Sequence, residues 1–86
     1  MTDSEKDKFI SALVRRGWLL QEATIWAPSK GLWFDDSHFR GWSLEDFAAI
    51  FARRAQRIAE SKLTPTWENS FRENRQVSEA AKEVME

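Results

Sequence analysis

The sequence contains no cysteine, no tyrosine and a single histidine, and only three glycines and two prolines occur in 86 residues. Without cysteine there is no disulfide, no thiolate nucleophile and no thiolate metal site, and the chain suits a reducing or an oxidising compartment equally. With one histidine, a zinc site inside a single chain would need carboxylates for its other ligands, an uncommon donor set, and no metal is expected. The glycines Gly17, Gly31 and Gly41 lie far apart, so no loop can cradle a phosphate and no nucleotide or other cofactor is expected. Charge of one sign is also missing. The net formal charge is −1 and the isoelectric point is near 5.9, so no global field draws the chain onto nucleic acid or an anionic membrane. No stretch approaches about 18 consecutive apolar residues, and the opening "MTDSEKDKF" is acidic and polar. The expectation is a cytoplasmic protein without a membrane partner.

What is present is aromatic. Five tryptophans and six phenylalanines accompany 42% hydrophobic and 31% charged residues, a composition that folds. A chain of this length builds one modest core, hence a single domain over residues 1–86. Such a core cannot bury eleven large aromatics, and tryptophan concentrates in small cores and at interfaces.

Periodicity organises the chain. Phe9, Ile10, Leu13 and Val14 share a helical stripe, which predicts a helix from Asp3 or Ser4 to Arg16, with Gly17 as its C′ residue. From Trp18 to Ala27 the pattern suits a strand better than a helix, because Thr24, Ile25 and Trp26 favour strands and Pro28 blocks a helix, although the first half, "WLLQEA", fits either. "PSKG" then forms a hairpin loop that sets the register: Trp26 faces Trp33, and Ile25 faces Phe34. His38 to Arg40 can add a short third strand.

Ser43 opens the next helix, running to Lys62, with Asp46 completing a capping box and Leu44, Phe47, Phe51, Ala55 and Ile58 as its buried stripe. "LTPT" ends it, and Thr64 before Pro65 starts a last helix reaching Val84. Its stripe is Trp67, Phe71, Ala81 and Met85, interrupted by Asn74 and Ser78, and residues 79–86 are expected to fray or form a disordered tail. The predicted fold is α+β: an N-terminal helix, a small antiparallel hairpin of two or three strands, and two C-terminal helices packed on one face. Double-stranded RNA-binding domains share the order helix, strands, helix. Their basic cluster is missing here, where "GWSLEDF" is acidic, so the chain is not assigned to them.

Three groups are candidates for function. Asp35, Asp36, Ser37 and His38 combine catalytic residue types, yet neighbours in a turn usually point apart, and a solvated turn explains them; no enzyme is expected. Arg53, Arg54 and Arg57, with Ile50 among them, form a basic stripe bordered by Asp46 and Glu60, which reads as a solvated face or as a contact for anions. Trp26 and Trp33 form a second apolar hairpin face, covered either by Trp67 and Phe71 or by another chain. Open strand edges would favour pairing across a two-fold axis.

The expected function is a non-catalytic protein-interaction module, a homodimer, that presents Trp26, Trp33, Ile50, Arg53, Arg54 and Arg57 to an acidic protein partner. A single-stranded nucleic-acid binder using the same residues is the alternative. A pocket for a small apolar or cationic ligand is the third reading.

Overall fold

The computed structural model describes residues 1–24 and 41–86. Among these residues there are three long helices, α1 (Asp3–Arg15), α3 (Leu44–Ser61) and α4 (Trp67–Met85), and one short helix, α2 (Leu20–Thr24). Among the described residues there is no strand. The α+β expectation is therefore corrected to a small helical bundle. The "PSKG" turn, the Trp26–Trp33 register, the strand at His38 to Arg40 and the Asp35–His38 group lie outside the described residues.

Local chemistry explains where the helices begin and end. Thr2, rather than Asp3 or Ser4, caps α1: its hydroxyl accepts the Glu5 N–H and the Glu5 carboxylate accepts the Thr2 N–H. The same reciprocal pair, Ser43 with Asp46, opens α3. At the end of α1 the Gly17 N–H donates to the Val14 carbonyl and the Trp18 N–H to the Leu13 carbonyl, a Schellman closure with Gly17 at φ +98°.

That closure is where the predicted strand fails. Trp18 is turned inward and 7% exposed, the chain restarts as the single turn α2, and Ala23 is fully buried. Leu20, Gln21, Glu22 and Ala23 are good helix formers, whereas the strand preference came from residues further on.

The core is built where the three long helices meet. Phe9, Phe47 and Phe51 are almost completely buried, with Phe9 edge-on to Phe47 at 5.3 Å and Phe47 stacked on Phe51 at 5.7 Å between centroids. Each such side chain contributes about 1.5–3 kcal/mol by leaving water. Val14, expected inside, is 39% exposed, and Ala12 takes its place in the core.

α4 departs furthest from the predicted stripe. Its buried residues are Val77, Ser78, Ala80 and Ala81, while Met85 is 47% exposed and Trp67 and Phe71 are only half-buried. Small residues let α4 approach α3 closely. The Ser78 hydroxyl donates to the Ala48 carbonyl at 2.7 Å, and Asn74 donates to the Ser70 carbonyl, so these polar groups enter the contact already satisfied. Arg15 and Arg16 both pair with Glu83, tying the end of α1 to the end of α4, and α4 continues as a helix through residue 85. Its N-cap is Thr66, without a side-chain cap bond, not Thr64.

Candidate functional site

α3 and α4 run antiparallel, joined through Lys62 in the left-handed region at φ +49° and residues 63–66. Between them lies a groove of about 380 Å³. From Phe51 to Ser61 it follows α3 for roughly 15 Å, at 1.5 Å rise per residue. The α3 wall consists of Phe51, Arg54, Arg57, Ile58 and Ser61, and the α4 wall of Ser70, Glu73, Asn74 and Val77, with Trp18 closing one side.

Its floor is apolar and buried. Phe51, Trp18 and Val77 are 2%, 7% and 1% exposed. The Trp18 indole N–H donates to Gln76 at 2.7 Å, and the Gln76 amide donates back to the Arg16 carbonyl, so the indole is held by α4 as well as by the turn at Gly17. The polar groups lie at the rim, where Arg54 and Arg57 are exposed and Ser70, Glu73 and Asn74 half-buried.

Helical geometry sorts the arginines. At 100° per residue, Arg54 is turned about 60° from Phe51 on the buried stripe of α3, Arg57 about 120° and Arg53 about 160°. Accordingly Arg54 and Arg57 line the groove, Arg53 is exposed outside it, and Ile50 is half-buried without lining it. The Arg54 guanidinium lies over the Phe51 ring, 4.8 Å from its centroid. Among the described residues no carboxylate pairs with Arg53, Arg54 or Arg57. Asp46, expected to border this face, serves the Ser43 cap, and Glu60 accepts a hydrogen bond from Gln56.

Trp26 and Trp33, the expected aromatic anchors, lie outside the described residues. The nucleic-acid and small-ligand expectations leaned on the same two side chains, and the homodimer leaned on strand edges, of which none is found among the described residues. The proposed cover of the tryptophan face, Trp67 and Phe71, forms its own tilted pair at 6.5 Å, with the Lys62 ammonium 5.0 Å from the Trp67 centroid.

Sequence reasoning missed Trp18 and the α4 wall. Trp18 carried a usable signal, a large apolar residue directly after a C′ glycine, where the closing motif places a contact with the last turn. The α4 wall carried little, because the residues at 70, 74, 77, 81 and 84 keep core spacing but begin with serine and asparagine. Among the described residues no group of three or more His, Asp or Glu side chains converges as a metal site would require. No helix among them is long and apolar enough to cross a membrane. Comparison of the chain with known protein families, curated proteins and solved structures finds no match.

Proposed function

We propose that this chain is a non-catalytic protein-interaction module that takes an acidic segment of a partner protein into the α3–α4 groove. An apolar side chain of the segment sits between the helices against the half-buried Ile58, and neighbouring carboxylates meet Arg54 and Arg57. The observation that carries this reading is the convergence of two guanidinium groups lacking a carboxylate partner among the described residues on one apolar groove. Among the described residues of the lining Glu73 is the single carboxylate, and the other polar groups there suit binding.

Magnitudes set the expected strength. Burying one leucine or phenylalanine side chain contributes about 1.5–3 kcal/mol. Each exposed arginine–carboxylate pair adds about 0.2–1 kcal/mol. A short peptide therefore binds at roughly millimolar Kd, where binding is worth about 4 kcal/mol.

Amide chemical shifts report binding of this strength. The probe is a blocked, alanine-based helical peptide bearing a phenylalanine between two glutamates one turn apart. Shifts are expected in residues 51–61 and 70–77, to be lost in Arg54→Glu/Arg57→Glu and with a peptide carrying lysines instead of glutamates. Equal binding of the lysine peptide, or shifts confined to other residues, would refute the proposal.

A further inference from the structure

We infer that Arg54 is the specificity-determining residue of this groove, and that it recognises a carboxylate through two parallel N–H···O bonds; this rests on the binding reading above. The two groove arginines are not equivalent. Arg54 is seated over Phe51, itself 2% exposed and fixed in the core, whereas Arg57 has no ring beneath it among the described residues. A guanidinium engaged through its face keeps its N–H edge for an acceptor and loses less side-chain freedom when that acceptor arrives. A planar fork matches a carboxylate in a way an ammonium cannot.

The spacing of the two arginines adds to this. Arg54 and Arg57 stand one helical turn apart, about 5–6 Å between Cβ atoms, a separation matched by two acidic side chains on consecutive turns of a partner helix. The occupant is an acidic, amphipathic protein segment with two carboxylates one turn apart beside its apolar anchor.

The test compares Arg54→Lys and Arg57→Lys, both retaining charge, against the glutamate peptide and the same peptide with glutamines. Arg54→Lys is expected to weaken glutamate-peptide binding about fivefold and Arg57→Lys less than about twofold, since only the first loses a preorganised fork. The ratio of glutamate- to glutamine-peptide affinity should fall in Arg54→Lys alone. A merely structural role for Arg54 would weaken both peptides equally and leave that ratio unchanged, overturning the inference. Equal losses in the two variants would also overturn it while leaving the groove reading intact. If the wild type binds neither peptide, the groove reading fails and the inference fails with it. Unfolding midpoints of both variants, expected to match the wild type, exclude loss of the fold as the cause.

Discussion

Replacing Gly17 by alanine isolates one backbone conformation on which the turn from α1 to α2 depends. Gly17 sits at φ +98°, and a Cβ built there meets no atom within 4 Å, so no steric clash enters the balance. The cost is the backbone alone: about 1–2 kcal/mol for holding an L-residue in the left-handed region. Alanine also narrows the unfolded ensemble, which stabilises by about 0.4–1 kcal/mol. The net expectation is a loss of about 1 kcal/mol. For a domain of this size that lowers Tm by about 4–8 °C. Thermal and urea unfolding followed by helical circular dichroism measure it, and the urea slope should not change because the same surface is exposed on unfolding. D-Alanine at this position, introduced by chemical synthesis, should instead stabilise by about 0.4–1 kcal/mol, since it accepts the conformation while still restricting the unfolded chain. A Gly17→Ala variant as stable as the wild type would refute the closure at Gly17 and, with it, the inward placement of Trp18 in the groove.

Ser78→Val should destabilise by about 1–3 kcal/mol, because it forces added methyl groups into the α3–α4 contact and removes the bond to Ala48; on a solvated helix face it would cost only a few tenths, and urea midpoints separate the two. Ser78→Ala should cost less, about 0.5–1.5 kcal/mol, the size of one net hydrogen bond. The hydrogen bond from Arg15, and then that from Arg16, holds the Glu83 carboxyl below its ordinary value of 4.5. A lowered folded-state pKa gives stability that is present above the unfolded value and lost as pH falls through the folded one. Wild type should therefore exceed Glu83→Gln in urea midpoint at neutral pH, with the gap closing as pH falls below the ordinary glutamate range; a gap that persists unchanged in acid would refute the ion-pair origin.

The parts of the fold legible from sequence are those governed by neighbours in the chain. The capping box at Ser43 and Asp46, the C′ glycine at Gly17 and the stripe Leu44, Phe47, Phe51 and Ala55 each depend on contacts within a few residues, which spacing alone reports. Arg53, Arg54 and Arg57 could be placed together on one face of a helix for the same reason. What sequence could not supply was the far side of each contact. Trp18 to Ala23 read as the start of a strand only through Thr24, Ile25 and Trp26 further on, whereas their path is set by the closure at Gly17 and by a bond from the buried Trp18 indole to Gln76, 58 residues away. Ser78 and Asn74 looked like interruptions because polarity was judged before their hydrogen-bond partners were known.

The site followed the same division. Sequence by itself determined that this chain has capped amphipathic helices, an arginine stripe and eleven large aromatics. Only tertiary structure decided that Arg54 and Arg57, but not Arg53, border a groove floored by Phe51 and Trp18. The physical reason is that a helix fixes the angle between its own side chains, whereas the surface that each one faces is set by whichever helix packs closely enough to bury it.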